Sequence, residues 1–328
     1  LLRDERLIVV ALGGNAFQSR GDRGSPREYW ANAYKSAEII VDLVELGYKV
    51  VVTHGNGPQV GVIDEWMFLG LKMKGLPPMT LDIAGAMSQG WLGYILQQAV
   101  YNKLVERGLL NKRVRGVVSL ITQTLVDKND PDFKDPSKYI GPWYEKEEAE
   151  KMSREYGWIF KQDPRGGFRR VVPSPDPIRQ IELEAAKTLI NNDFIVILSG
   201  GGGVPVYINE RGFLEGVEAV VDKDLAAERI ATSIRAGILM ILTDVDKVYL
   251  NYGRPDAKPI DIMTLSEAKR YYAEGHFKPG SMGPKILAAI RFIENGGLEA
   301  IIAHLNKARE AVEKRSGTRI VPDHILKT

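Results

Sequence analysis

Short apolar runs that end on glycine recur along this chain, and they narrow its possible folds more than any other feature. Leu7–Leu12 (LIVVAL) runs into Gly13-Gly14-Asn15. Lys49–Thr53 (KVVVT) passes through His54 into Gly55-Asn56-Gly57, and the run FIVILS leads into Gly200-Gly201-Gly202-Gly203. Runs this short, rich in Val and Ile and without polar alternation, read as strands buried on both faces. Longer amphipathic stretches lie between them. Ser25-Pro26-Arg27-Glu28 is a capping box with Pro at the first helical position, and the helix it opens stops at Gly47. AGAMSQGWLGYILQQAVYNKLVERG reads as a long apolar helix ending near Gly108, followed by VRGVVSLIT as a strand. ILMILT and EAIIA are further strands, and helices are expected from about Pro177, Asp222, Leu265 and Pro284. Strands alternating with helices predict an α/β fold, a three-layer αβα sandwich on a mostly parallel central sheet.

One segment breaks this rhythm. Residues 125–177 are rich in Pro, Asp, Lys and aromatics, with a short helix over Glu145–Tyr156 and a hairpin around Gly166-Gly167. Long irregular insertions in compact domains lean towards function, so this stretch reads as an inserted, protruding subdomain or lid. The remainder reads as one domain over 1–328, with an N-terminal lobe (1–190) and a C-terminal lobe (191–328).

Composition removes several classes of function. Lys and Arg total 44 against 42 Asp and Glu, a net charge of +2, which gives no electrostatic case for nucleic acid or a membrane surface. The absence of Cys excludes disulfides, thiolate zinc sites and a thiol nucleophile, and it suits a cytoplasmic enzyme. His54, His276, His304 and His324 stand at no metal-ligand spacing. No stretch is long and apolar enough to span a membrane. The chain opens on Leu1 rather than Met, which leaves room for residues ahead of it, and no signal peptide is evident in its first residues.

The chemistry must then come from glycine turns and local charge. A fourth cluster, Gly280-Ser281-Met282-Gly283, joins the three above. In open α/β sheets ligands bind beyond the carboxyl ends of the strands, where glycine lets backbone N–H groups reach an anion. Any one cluster alone is more often just a tight turn; several converging on one sheet edge favour an anion site. A Walker A pattern is absent, and the spacing Gly55-x-Gly57-x-x-x-Gly61 matches a dinucleotide fingerprint only loosely. Three lysines fit an anion. Lys285 sits in the first turn of a helix, where the dipole disfavours a cation unless an anion is bound. Lys223 lies between Asp222 and Asp224, one of which is expected to cap the helix and the other to orient a lysine or approach a magnesium ion. Lys138 is held between prolines in DPSKYIGP. Phosphoryl transfer needs aligned reactants and neutralised charge rather than a nucleophilic side chain, which suits this inventory.

The blocks VVALGGNAF, VVTHGNGPQVG, DIAGAMSQGWLGY, TQTLVDKNDPDFKDPSKYIGP, RRVVPSPDP, SGGGGVPV, GVEAVVDKDLA, ILTDVDKVY and GHFKPGSMGPK resemble, in order, those of carbamate kinases in the amino acid kinase superfamily. The resemblance covers nearly the whole chain. It implies a cytoplasmic homodimer in arginine metabolism that converts ATP and carbamate reversibly to ADP and carbamoyl phosphate. Mg²⁺ would be held mainly by the nucleotide phosphates, with no protein ligand certain. By the same resemblance Gly13, Gly14, Asn15, Gly55, Asn56 and Gly57 bind the carbamate end and the moving phosphoryl group, on the N-terminal lobe. Lys138, Lys223 and Lys285 are catalytic, with Asp224 orienting them. Gly200, Gly201, Gly202, Gly203, Thr243, Asp244, Val245, Tyr249, Met282 and Lys285 border the nucleotide. Tyr139 stands where the family commonly has Pro, a change expected to alter lid mobility, and Trp143 and Phe17 replace other hydrophobics.

Three alternatives accompany this reading. A kinase of an amino acid or another small carboxylate on the same fold would need a larger acceptor pocket. A catalytically silent sensor would have no use for three lysines. A nicotinamide-binding protein would need an acidic residue ending the next strand, and PPMTLD before Asp82 is not a strand.

Overall fold

The computed structural model describes residues 3–19, 21–163 and 166–326. Its central sheet contains β1 (Asp4–Leu12), β2 (Lys49–His54), β3 (Gly116–Ser119), β4 (Phe194–Ile197), β5 (Ala236–Thr243), β6 (Ile262–Thr264), β7 (Glu299–His304) and β8 (Thr318–Val321). The order across the sheet is β6-β8-β7-β5-β1-β2-β4-β3. From β7 to β3 all strands are parallel; β8 is antiparallel to β7, and β6 runs with β8.

The unbroken apolar run of β1 follows from burial on both faces. Ile8, Val10 and Leu12 enter one core; Leu7, Val9 and Ala11 enter the other. The first core is closed by α1 (Pro26–Glu45), α3 (Leu81–Glu106) and α9 (Ala308–Val312). The second is closed by α5 (Leu183–Asn191), α6 (Lys223–Ser233), α7 (Leu265–Ala273) and α8 (Met282–Glu294). The expected three layers are present. The expected capping box is also present, with Ser25 and Glu28 exchanging side-chain and backbone bonds at the start of α1.

Three helices differ from expectation, the short α9 being one that the sequence reading did not foresee. The helix expected near Pro177 begins at Leu183, because Arg179–Gln180 first pair as a short strand with 123–125. An unexpected helix, α2 (Gly57–Lys74), follows β2 directly. Its apolar residues do not keep to one face, since Val60 and Ile63 are buried while Trp66, Leu69 and Met73 are exposed. Periodicity therefore could not reveal it.

The insertion forms a separate three-stranded antiparallel sheet. Phe168–Val172 lies at its centre between Lys138–Tyr144 and Ile159–Gln162, and α4 (Lys146–Tyr156) packs on it. Residues 164 and 165 of the expected hairpin turn lie outside the described residues; the strands on either side pair as expected. Ile140 and Val172 of this small sheet share a core with Val60, Ile63, Leu81 and Ala84, so the subdomain is seated on α2 and the start of α3.

Candidate active site

The glycine clusters meet at the carboxyl edge of the sheet. β1 runs into Gly13 and a short turn over Gly14–Ala16, and the Gly55 amide at the end of β2 donates to the Leu12 carbonyl at 3.0 Å. The backbone of Asn15 lies in that turn; its side chain lies outside the described set. Gly14, Gly55, Asn56 and Gly57 line a cavity together with Asp222, Lys223, Asp224, Gly280 and Lys285. Lys138, Tyr139 and Ile140 close it from the subdomain. Gly13 does not line this cavity; a Cβ there would lie 3.0 Å from the Leu242 carbonyl oxygen, so its smallness serves the packing of β1 against β5.

Three helices begin at this cavity. α2 starts at Gly57, α6 at Lys223 and α8 at Met282, and each presents N-terminal residues to it or beside it. Unpaired N–H groups and the positive end of each helix dipole make such a place favourable for an anion. Asn56 is fixed by donating to the Ser88 hydroxyl at 2.7 Å.

The lysines come together as the sequence led us to expect. Asp222 caps α6, accepting from the amides of Asp224 (2.9 Å) and Leu225 (3.3 Å). Asp224 is buried and gives one carboxylate oxygen to Lys223 and the other to Lys285, the latter at 2.9 Å. Burial alone would raise its pKa, but the two ammonium groups outweigh it and hold the carboxyl at about 2. Lys138 lies 3.8 Å from the other oxygen of Asp222. Two aspartates thus gather three ammonium groups at one cavity. Beneath it His54 is fully buried, its Nδ1 3.0 Å from the Gly55 carbonyl oxygen and its ring edge-on to Phe17. Burial, reinforced by the Lys223 charge, lowers its pKa to about 4, so the ring is neutral.

A second cavity adjoins the first. Thr243, Asp244, Val245, Tyr249 and Met282 line it, with Lys247 of the same expected segment, and they are joined by Tyr252, His276, Phe277 and Lys278, which the sequence did not single out for this site. The signal for the last three lay in GHFKPGSMGPK, the block that also carries the glycines, Met282 and Lys285. Lys285 borders both cavities.

The Gly200–Gly203 tetrad, expected to border the nucleotide, lies nearer the first cavity than the second. None of the four lines the second cavity, and Gly201 borders the first. Gly201, Gly202 and Gly203 all have positive φ, and an added Cβ would fall 2.1 Å from Asn56 Nδ2, 2.2 Å from the Val221 carbonyl and 2.1 Å from Thr124 Oγ1 respectively. The tetrad is a tight turn compressed between the Asn56 wall and the approach to α6, and its glycines serve that close packing. Among the described residues no group of three or more His, Asp or Glu side chains forms a metal cage. Asp224 has committed both oxygens to lysines.

Comparison with known proteins shows the family. The amino acid kinase family model matches residues 6–304. A carbamate kinase from Pyrococcus horikoshii is 52% identical over 315 residues, covering 96% of this chain and 99% of that protein. One from Clostridium perfringens is 44% identical over 316 residues, covering 96% and 99%. The structure of a carbamate kinase from Giardia lamblia bound to AMP-PNP superposes with a TM-score of 0.90 at 40% identity, covering 97% of this chain and 99% of that one. The chain therefore belongs to the amino acid kinase family and, within it, to the carbamate kinases.

Proposed function

We propose that the two adjoining cavities hold the two substrates of a reversible phosphoryl transfer between ATP and carbamate, and that Lys285 stands where the group crosses. The observation that carries this reading is the position of Lys285, which borders both cavities and is held by the same carboxylate that holds Lys223. Adenine and ribose would occupy the cavity beside Tyr249 and Met282. Carbamoyl phosphate would occupy the cavity walled by Gly14, Gly55 and Gly57.

In one direction a terminal phosphate oxygen of ADP attacks the phosphorus of carbamoyl phosphate. A P–O bond forms to ADP as the P–O bond to carbamate breaks, and carbamate departs as an anion. No proton need move, so no general base is required, and the neutral, buried His54 suits this. Charge on the moving PO₃ unit and the leaving oxygen is met by Lys223 and Lys285 from α6 and α8 and by Lys138 from the subdomain. Glycine amides and three helix starts add fixed positive potential, which is worth most where water is excluded. Mg²⁺ would rest on the nucleotide's phosphate oxygens and water, as this ion prefers, and neutralise the bridging oxygens. A homodimer working in the cytoplasm completes the reading.

The test is ATP formation from ADP and carbamoyl phosphate by the parent and by Lys285→Ala. We expect kcat to fall by about 10² to 10³, the usual scale for losing one fixed charge at the transition state, with thermal melting little changed. A variant as active as the parent removes Lys285 from the crossing point. Amino acids offered with ATP as acceptors should remain unphosphorylated; turnover with one would favour a kinase of a larger carboxylate.

A further inference from the structure

The lysine contributed by the subdomain must be brought to the cavity and held there, yet Lys138 itself makes only a loose 3.8 Å pairing with Asp222. The structure holds it from behind. Lys138 and Ile140 pair directly with Val172 and Arg170 on the neighbouring strand. Directly paired residues in a sheet point to the same face, and here Ile140 and Val172 enter the core shared with α2 and α3. Arg170 reaches the same seam and is buried.

Its guanidinium joins three parts of the molecule. It lies 3.4 Å from Asp64 on α2, the helix whose N-terminus borders the cavity. It donates to Glu218, in the segment that runs into α6. It also stacks over the Trp158 ring of the subdomain at 4.0 Å. Glu218 in turn accepts from the Leu81 amide at the start of α3 at 2.9 Å. Two residues further on, the Val220 amide donates to the Pro173 carbonyl of the subdomain at 3.0 Å. Next come Asp222 and Lys223. Next to Ile140 on the same strand, Gly141 has φ +66° and leaves only enough room for Asp64, whose Oδ2 would lie 2.9 Å from an added Cβ.

We infer that Arg170 is a positioning residue for the reaction: by bridging Asp64 and Glu218 it fixes the strand carrying Lys138 against the segment carrying Lys223, and so sets the spacing of the lysines. It touches neither cavity and acts through Lys138. A planar guanidinium with several donors in a fixed fork suits two carboxylates and an indole at once; an ammonium does not.

This inference rests on the proposed role of Lys138, and a double-mutant cycle separates the two. Lys138→Ala alone tests that role: kcat for ATP formation should fall at least tenfold, and an unchanged kcat overturns both. Arg170→Lys should lower kcat by about tenfold or more with the KM for ADP within twofold. In the Lys138→Ala background the same Arg170→Lys change should cost less than twofold further, because its route to the reaction is gone. Should Arg170→Lys not fold, Glu218→Gln is read in the same cycle. Losses that multiply independently, or a KM for ADP that shifts as much as kcat, mark Arg170 as a general support of the fold and overturn the inference.

Discussion

At the scale of single residues, the site depends on charges kept where water would normally hold them. Asp224 is the clearest case. A buried carboxylate is costly on its own, but here two ammonium groups share it and hold it ionised well below neutral pH. His54 shows the opposite arrangement, a titratable group kept neutral because protonation would place a cation in an apolar bed beside Lys223. This has a consequence for stability. The unfolded chain takes up a proton on this ring near the ordinary value of 6.5, whereas the folded protein resists until about 4. Unfolded molecules therefore bind more protons between those values, and stability must fall as pH drops through that window, by roughly 3 kcal/mol in all. Asp224 adds to the loss below the ordinary aspartate range. Denaturant midpoints measured from pH 7 to pH 4 should fall in the parent and fall markedly less in His54→Asn, whatever that variant costs at pH 7. Identical slopes in the two proteins would remove His54 as the cause.

At the scale of elements, the residues of the candidate site concentrate at helix beginnings, and these differ in how far the sequence discloses them. Asp222 illustrates what could be read. One of the two aspartates flanking Lys223 was expected to be a cap by residue type, and Asp222 is the one that caps α6. Because Asn caps as well as Asp, the cap can be separated from the charge. Asp222→Asn should melt within a degree or two of the parent, while Asp222→Ala should lose about 1 kcal/mol. If the 3.8 Å pairing with Lys138 matters, Asp222→Asn should still lower kcat; full activity in that variant would leave Asp222 as a cap only. Six strands of the central sheet, the α1 capping box and the four glycine clusters were likewise legible, since each rests on local chemistry, whereas β6 and β8 were not read as strands. α2 was not, because its exposed Trp66, Leu69 and Met73 erase the apolar periodicity that betrays a helix. The tetrad Gly200–Gly203 was legible as a special turn but not in its purpose, since the atoms that crowd it come from Asn56, Thr124 and Val221, distant in sequence. Arg170 was invisible for the same reason: its partners lie 106 and 48 residues away.

At the scale of the whole molecule, the exposed apolar side chains of α3 become informative. α3 spans 26 residues, and its inner face is committed to the first core. Its outer face is also apolar. Ile83, Met87, Tyr94, Tyr101 and Val105 are 43%, 47%, 61%, 46% and 52% exposed. At about 100° per residue these five positions fall within a stripe roughly 40° wide, and at about 1.5 Å per residue the stripe runs for roughly 33 Å. A narrow apolar seam on a long straight element differs from the scattered exposed hydrophobics that any surface carries. It suits a copy of itself, because two such helices crossing about a two-fold axis bury the same residues on both sides. The homodimer belonging to the proposed function thus has a surface that could form it, on the side of the first core. In light scattering the parent should have twice the chain mass at micromolar concentration. Tyr94→Glu, which places a charge at the middle of the seam on each copy, should move the protein towards the chain mass. Far-UV circular dichroism should stay unchanged, since Tyr94 is mostly exposed and touches the first core only through an edge contact with the Trp30 ring. If Tyr94→Glu remains fully dimeric, the copies meet through another face. If the parent itself has the mass of one chain, the seam on α3 must be covered by something other than a second copy.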